Sequence, residues 1–262
     1  MTEFLAEFCA PGLQCTIHEG VVTLMLCRPE KRNALSWEMW HALPGLVRAI
    51  DTSPEARVLI ITGAGGHFSA GSDIADLNVP LADFWETNAT AEEAMAEADI
   101  PTIAAITGNC IGGGTELAAA CDIRVASLDS SYGITAAKLG VVYPPEPTRR
   151  LAQIIGTDWA RYLLLTGEII DAEQAWQRGF IHILSDNAVE SAHQLAVKLT
   201  TRSALSQSAI QRILAGDRLD PSPGGWLDRA YRAEITAGQQ AFFDGTTPDF
   251  PHHRTQWQQT AD

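Results

Sequence analysis

A glycine-rich segment followed by one carboxylate is the part of this sequence best suited to chemistry. Residues 108–122 have the sequence GNCIGGGTELAAACD, in which glycines 112–114 lead into a small-residue helix with Glu116 about one turn from its start. Glycines let backbone amides approach a ligand closely, and a helix N-terminus favours negative charge. The segment can therefore stabilise an oxyanion beside an acid or base, and it is equally typical of a turn before a tightly packed helix.

The elements that must position this segment are buried strands that end in glycine-containing loops. The apolar run VLIITG at 58–63 predicts a strand, and it leads into the loop GGHFSAGSDI at 65–74, in which Asp73 is suited to cap a helix. The run IAAITG at 103–108 repeats the order of strand, glycine turn and helix. Two such units in succession can direct two backbone amides at one point.

This pairing resembles the crotonase superfamily, also called the enoyl-CoA hydratase/isomerase family. Further matching segments follow in the family's order over roughly residues 12–245: RPEKRNAL at 28–35, CDIRVA at 121–126, LTG at 165–167, AEQA at 172–175, and Gly179. The resemblance implies an α/β, ClpP-like spiral of repeated ββα units with a helical C-terminal part. It also implies a spiral core over 1–200, a helical trimerisation region and tail over 201–262, and a homotrimer or dimer of trimers.

The resemblance also implies roles for individual residues. The backbone N–H groups of Ser72 and Gly113 would form an oxyanion hole that holds a thioester carbonyl oxygen as it becomes an enolate. The substrate would be an acyl-CoA, so coenzyme A arrives as part of the substrate and no separate cofactor or metal is expected. The residues implied in substrate binding are Arg28, Lys31, Arg32, Ala34, Ala70, Asp73, Ile74, Trp85, Gly112 and Ala136.

The sequence departs from the family at its second catalytic carboxylate. Hydratases of the family use two glutamates around one water, and the first corresponds to Glu116, three residues after Gly113. The second would lie twenty residues further along, where this chain has Ala136. Because a methyl group cannot transfer a proton, the two-glutamate hydration mechanism is in question.

The loop that follows Ala136 holds two candidates for replacement chemistry. Prolines on both sides of Glu146 restrict its backbone, and family isomerases and diketone hydrolases carry an acid at or near this position. Glu146 is therefore a candidate acid or base, or else a solvated glutamate paired with Arg149 or Arg150. Tyr143 resembles a tyrosine of family decarboxylases that act on malonyl-type thioesters, and its alternative role is a wall of the pocket.

Bulk properties exclude several classes of function. The formal net charge of −14 argues against nucleic acid and anionic membrane surfaces as partners. Apolar runs are of strand length, the five cysteines lack metal-ligand spacing, and the N-terminus does not resemble a signal peptide, so we expect a cytoplasmic protein. Coenzyme A is itself a polyanion, and residues 243–250 have no basic residue where the family usually has a basic cluster. The substrate can accordingly bind weakly through CoA, ride on a carrier protein, or lack a thioester.

The hydrophobic pattern predicts the order of the elements. We expect a hairpin over 12–28, a helix over 37–51 that Pro44 can kink or break, and a strand over 57–62. A helix over 75–100 and strands over 102–107 and 122–126 follow. The remaining segments predict helices over 147–165, 171–179, 187–200, 203–215 and 226–243, then a loose tail from 246 that contains His252 and His253.

The sequence thus predicts an enolate-stabilising acyl-CoA enzyme. Isomerisation or hydration with proton transfer by Glu116 and Glu146 is the leading reaction. Decarboxylation of a malonyl-type acyl-CoA with Tyr143, C–C hydrolysis of a β-diketone without CoA, and a non-catalytic family member are the alternatives.

Overall fold

A computed structural model describes residues 8–251 of the chain, and its main feature is a six-stranded sheet. Its strands are β1 Leu13–His18, β2 Val21–Leu26, β3 Val58–Gly63, β4 Thr102–Ile106, β6 Ile123–Ser127 and β9 Ile183–Ser185. They lie in the order β1-β2-β3-β4-β6-β9. The hairpin β1–β2 is antiparallel and every other neighbouring pair is parallel. Strands β3 and β4 are buried along nearly their whole length, as uninterrupted apolar runs in a parallel sheet should be.

A second, three-stranded sheet supplies the step from strand to helix. It contains β5 Asn109–Ile111, β7 Ser131–Gly133 and β8 Ile169–Asp171, in the order β5-β7-β8. Each of two successive units has one strand in each sheet and then a helix: β4, β5 and α3 Gly113–Ala120, followed by β6, β7 and α4 Ala136–Leu139. This is the expected spiral of ββα units. The three-residue strands of the second sheet were not predicted, because such short segments carry no clear periodicity.

The helices agree with the predicted pattern at most positions. Their bounds are α1 Trp37–Thr52, α2 Leu81–Ala96, α5 Pro145–Ile155, α6 Thr157–Thr166, α7 Ala172–Gln177, α8 Ala188–Thr200, α9 Ala204–Ala215 and α10 Trp226–Asp244. Helix α1 continues through Pro44, so the expected kink or break does not interrupt it. The prediction of one helix over 147–165 was wrong, because Gly156 has φ +81° and separates α5 from α6.

The C-terminal part is helical, as expected, and α8 packs on one face of the large sheet against β3 and β4. The division at residue 200 stays a prediction, and residues 252–262 of the predicted tail, with His252 and His253, lie outside the described residues. Within residues 8–251, no helix combines the length and apolar character that crossing a membrane requires.

Candidate active site

Two backbone amides converge where the loop after β3 meets the start of α3. A Cβ on Gly71 would lie 3.0 Å from the Gly113 nitrogen, and a Cβ on Gly113 would lie 3.5 Å from the Ser72 nitrogen. Among the described residues, neither of these two N–H groups donates to a backbone carbonyl outside regular helices and strands. Gly113 is the first residue of α3, where amides have no partner within the helix. Both N–H groups therefore lie close together at this junction without a backbone partner among residues 8–251.

Two isolated bridges bring these loops together. Leu35 bridges Ser72, and Ser69 bridges Cys110, so that the 69–72 segment runs parallel to β5. The close approach requires glycine, because a Cβ on Gly71 would lie 2.7 Å from the Ile111 carbonyl oxygen, and its φ is +89°. Gly112 also has a positive φ of 56°, at the turn from β5 into α3.

Buried polar side chains that the sequence analysis missed hold this arrangement. The Trp40 indole, 1% exposed, donates to the Ser72 hydroxyl over 3.1 Å. The Asn33 amide, fully buried, donates to the carbonyls of Ala64 and His67 over 2.8 and 2.6 Å and accepts from the Arg28 amide over 2.9 Å. Asn33 lies within the family segment RPEKRNAL at 28–35. Its position as a polar residue within that motif was the sequence signal that could have indicated a structural role.

A cleft of about 90 Å³ opens in front of the two amides. None of the described residues that line the cleft carries a charged side chain. They are Ala70, Gly71, Ser72, Ile74, Leu77, Phe84, Gly112, Gly113, Thr135, Ala136, Leu139, Val141 and Tyr143. The Tyr143 hydroxyl lies 3.7 Å from where a Cβ on Gly112 would stand. The cleft brings together four of the implied substrate-binding positions, Ala70, Ile74, Gly112 and Ala136, the last at the place of the missing glutamate.

The cleft continues into an apolar groove of about 490 Å³ between α2 and the segment after α4. Ile74 and Leu139 line both, and they are 67% and 53% exposed. Exposed aliphatic side chains lining a groove are suited to an apolar chain. The groove is lined by Ile74, Leu77, Asn78, Val79, Leu81, Phe84, Leu139, Gly140, Val141 and Val142.

Glu116 lies next to this cleft and is 3% exposed. Burial raises its pKa to about 8, while hydrogen-bonding interactions with Glu92 and Tyr143 and the charge of Arg150 act in the opposite direction. Burial likewise raises the pKa of Tyr143 well above its ordinary value, and the neighbouring glutamates raise it further. Glu116 is not among the residues that line the cleft, so Tyr143, which contacts both, connects them.

A second buried carboxylate, Glu92 on α2, was missed by the sequence analysis. It is 1% exposed, and its Oε2 accepts from Arg150 Nη1 over 3.2 Å. Its signal was helical spacing: Phe84, Asn88, Ala91 and Met95 form the buried face of α2, and Glu92 lies on that face. Because residues 92–97 are rich in glutamate, the sequence analysis did not single out Glu92.

The structure does not bring Glu146 to this cluster. Glu146 lies in the first turn of α5 with its side chain 44% exposed, and its Oε1 is 3.5 Å from Arg149 Nη1. It does not line the cleft, and its exposure and contact with Arg149 are those expected of a solvated, paired glutamate, whereas its catalytic role stays a prediction.

The basic residues expected at the coenzyme are largely neutralised within the chain. Asp73 Oδ2 is 3.0 Å from Arg28 Nη2 and 2.6 Å from Lys31 Nζ. The hydrogen bond from Lys31 first, with that from Arg28, holds the pKa of Asp73 below its ordinary value despite opposing burial. Asp73 also caps the short 3-10 helix Ile74–Asp76, as predicted. Arg32 is exposed, and no ion pair involving it is recorded in residues 8–251.

The other implied substrate contacts lie away from the cleft. Trp85 donates from Nε1 to the Val142 carbonyl over 2.8 Å, which ties α2 to the loop before α5. Ala34 is buried, and its carbonyl accepts from Arg28 Nη1 over 2.7 Å. In the described part of the chain, no set of three or more His, Cys, Asp and Glu side chains is grouped as metal ligands would be.

Comparisons with known proteins show which family the chain resembles. The family model described as Enoyl-CoA hydratase/isomerase matches residues 16–219. The "Probable enoyl-CoA hydratase echA6" of Mycobacterium leprae is 33% identical over 202 residues, which are 76% of this chain and 81% of that protein. The 2,3-dehydroadipyl-CoA hydratase of Escherichia coli is 32% identical over 246 residues, 88% of this chain and 95% of that protein.

A solved structure extends the likeness to the fold. The enoyl-CoA hydratase from Bacillus anthracis superimposes with a TM-score of 0.80 at 27% identity, covering 91% of this chain and 98% of that one. A family model that matches most of the chain, relatives above 30% identity and a shared fold lead to one conclusion. The chain belongs to the enoyl-CoA hydratase/isomerase family.

Proposed function

We propose that this protein isomerises an acyl-CoA thioester through an enolate, with the thioester carbonyl oxygen bound by the N–H groups of Ser72 and Gly113. The observation that carries the proposal is the convergence of these two amides at the mouth of an uncharged cleft. Two aligned N–H donors favour the enolate oxygen over the neutral carbonyl, because hydrogen bonds to a charged acceptor are stronger.

Glu116 is the proton acceptor in this proposal, and Tyr143 connects it to the cleft. As the α-carbon loses its proton to the Tyr143 oxygen, the Tyr143 proton passes to Glu116; the reverse transfer delivers a proton to the γ-carbon and completes the shift of the double bond. A pKa of about 8 suits Glu116 to both directions near neutral pH. A single acid–base route that returns the proton favours isomerisation over hydration, since hydration needs a second group to activate water.

The apolar groove supports an aliphatic or aromatic acyl group. Its lining is dominated by Ile, Leu, Val and Phe side chains, and it joins the cleft where the acyl chain of a bound thioester would extend. The exposed Phe242 and Phe243 on α10, 81% and 80% exposed, support a homotrimer in which this helix is covered, which light scattering of the purified protein tests.

The test is conversion of 3-hexenoyl-CoA to the conjugated 2-enoyl isomer, followed by absorbance, beside hydration of crotonyl-CoA. We expect isomerisation to exceed hydration, and Glu116→Gln and Tyr143→Phe each to reduce it at least a hundredfold. Glu146→Gln, which tests the sequence prediction, should leave the rate within about twofold. Unchanged isomerisation in Glu116→Gln, or hydration faster than isomerisation, would contradict the proposal.

Decarboxylation of a malonyl-type acyl-CoA is a second candidate, favoured by the Tyr143 hydroxyl beside Gly112. An uncharged cleft destabilises a substrate carboxylate, and its loss as carbon dioxide would leave the same enolate in the same oxyanion hole. Carbon dioxide release from methylmalonyl-CoA that disappears in Tyr143→Phe, without isomerisation of 3-hexenoyl-CoA, would select this reaction.

A further inference from the structure

Three helices each place one charged side chain in a buried cluster behind the cleft. Helix α3 packs against α2 and α5. Glu116 lies on α3, Glu92 on α2 and Arg150 on α5. Arg150 Nη1 donates to Glu92 Oε2 over 3.2 Å. The carboxyl groups of Glu92 and Glu116 are close enough for each to change the pKa of the other. Within the described chain, the Oε1 atoms of both glutamates are buried without a hydrogen-bond partner.

The charges of this cluster require a proton. Two carboxylates facing each other with one guanidinium would leave a negative charge uncompensated in a buried site, and such a charge is costly. One proton between the carboxyls removes that charge and also provides the donor for a hydrogen bond between them. Burial, followed by the charge of Glu116, raises the pKa of Glu92 well above its ordinary value, whereas Arg150 lowers it.

We propose that Glu92 is the proton store of Glu116: after Glu116 has given up its proton towards the substrate, the Glu92 carboxyl replaces it, and Arg150 stabilises the Glu92 carboxylate that remains. In this step the Glu92 O–H bond breaks and a Glu116 O–H bond forms, so the negative charge moves from Glu116 to Glu92. The reverse transfer returns this proton to Glu92, which restores the starting state and leaves Glu116 as the carboxylate that accepts the next proton from the cleft. Nothing is oxidised or reduced.

Glu92 is a positioning residue, because it acts through Glu116 and does not line the cleft. The titratable and charged groups that face it are Glu116 from α3, Arg150 from α5 and Glu93 from its own helix. Tyr143 reaches the cluster through Glu116, and α1, which also packs on α2, adds none of the groups that shift its pKa. The pairing of Glu92 with Glu116 does not depend on the reaction that the protein catalyses. The role of Glu92 in proton transfer rests on the proposed function.

The pairing is tested without substrate, by NMR titration of the full chain labelled with carbon-13 at the glutamate side-chain carboxyls, with signals assigned from Glu92→Gln and Glu116→Gln. Glu116→Gln should lower the pKa of Glu92 by about one unit or more, because a facing carboxylate is removed. Arg150→Met should raise the pKa of both glutamates, and Arg149→Met, a matched neighbour, should leave them unchanged. A Glu92 pKa that is the same in the wild type and Glu116→Gln overturns the proposal, whatever reaction the protein catalyses.

The proton-transfer role is tested by the fate of the transferred hydrogen. With 3-hexenoyl-CoA deuterated at the α-carbon, the label first lies on the Tyr143 oxygen and reaches Glu116 by exchange while the enolate is bound. The store there exchanges it for the Glu92 proton, so the wild type should return less label than Glu92→Gln. Arg150→Met should shift the rising limb of the pH–rate profile to higher pH, since Glu116 then loses its proton less readily. Equal label return in the wild type and Glu92→Gln contradicts the store. Absence of isomerisation in the wild type contradicts the proposed function, and the titration then decides the pairing.

Discussion

The Trp40 indole hydrogen-bonds the Ser72 hydroxyl over 3.1 Å, and the same ring occupies the space beside Gly113, where a Cβ would lie 2.6 Å from Trp40 Cζ2. One side chain of α1, 1% exposed, therefore contacts both residues of the proposed oxyanion hole. The spacing of the two amides depends on that ring, since its rigid bicyclic shape leaves little freedom to adjust.

We expect Gly113→Ala to destabilise the protein because its methyl group would overlap the Trp40 ring. Overpacking of this kind costs about 1–3 kcal/mol. The smaller ring of Trp40→Phe loses the Ser72 hydrogen bond, about 1 kcal/mol, but makes room for the methyl group. The double variant should therefore be more stable than the sum of the single effects predicts, as urea unfolding of all four proteins measures. Strict additivity would show that Trp40 does not set the space at Gly113.

Asn33 is the anchor of the loops that carry the oxyanion residues. It accepts from one backbone amide and donates to two carbonyls, and its own backbone is left-handed with φ +56°. Asn33→Ala leaves these groups without partners, at about 1–3 kcal/mol for each buried group, and adds about 1–2 kcal/mol for alanine in this conformation.

Asn33→Gly is the matched control, because it removes the same side chain without the backbone penalty. We expect both variants to be less stable than the wild type in thermal unfolding, with the alanine variant the less stable of the two. If the two are equally destabilised, the left-handed backbone at Asn33 contributes nothing to the difference.

The sequence predicted five of the six strands of the large sheet and most helices, because they carry long apolar runs or clear helical spacing, whereas the three-residue strand β9 was not predicted. Strand β3 and helix α8 are examples, with bounds close to those expected. Gly156 could not be recognised as a break, since a glycine with φ +81° has the same letter as one within a helix. The three-residue strands of the second sheet depend on tertiary pairing that no local pattern reports.

The candidate site was predictable where it depends on backbone and less so where it depends on distant side chains. The glycine pattern at 71 and 112–114 predicted that two loops meet, and the structure has Gly71 and Gly113 in close approach. The oxyanion hole of Ser72 and Gly113 stays a prediction. The partner of Glu116 was sought in the loop near Glu146 because proline restricts that loop. The buried carboxyl group that the structure brings close to Glu116 is that of Glu92, 24 residues earlier in the sequence, because α2 packs on α3.

Glu116 should make the stability of the protein fall as pH rises. Its folded-state pKa is raised to about 8 by burial, so the native state keeps a proton that the unfolded chain loses near 4.5. Between these values the unfolded state binds fewer protons, and the free energy of unfolding decreases with increasing pH. Glu116→Gln lacks this dependence, so its stability relative to the wild type should increase from pH 5 to pH 8.

Urea unfolding at pH 5 and pH 8 measures this difference, with Glu168→Gln as the control at an exposed position. The control should follow the wild type at both pH values. A Glu116→Gln protein whose stability relative to the wild type is the same at both pH values would mean that Glu116 is ionised in the native state throughout.

Asp73 should limit the affinity for coenzyme A because it occupies Arg28 and Lys31. Asp73→Asn keeps a side chain able to cap the 3-10 helix and releases both cations for phosphate groups. We expect severalfold tighter binding of CoA in calorimetry and a loss of about 1 kcal/mol of stability, since these ion pairs are partly exposed. Asp83→Asn changes the net charge equally at an exposed position of α2 and should bind CoA as the wild type does. Equal affinity in the two variants would exclude Arg28 and Lys31 as phosphate ligands.

Leu139 should determine how strongly longer acyl chains bind, because it lines both the cleft and the groove. Each buried methylene contributes about 0.8 kcal/mol, so octanoyl-CoA should bind the wild type more tightly than butyryl-CoA. Leu139→Asn places an amide in the path of the chain and should weaken octanoyl-CoA at least tenfold while butyryl-CoA changes little. Leu165→Asn, at a leucine 77% exposed on α6 outside the groove, controls for the loss of an apolar side chain. Equal weakening of both ligands in Leu139→Asn would mean that the acyl chain does not enter this groove.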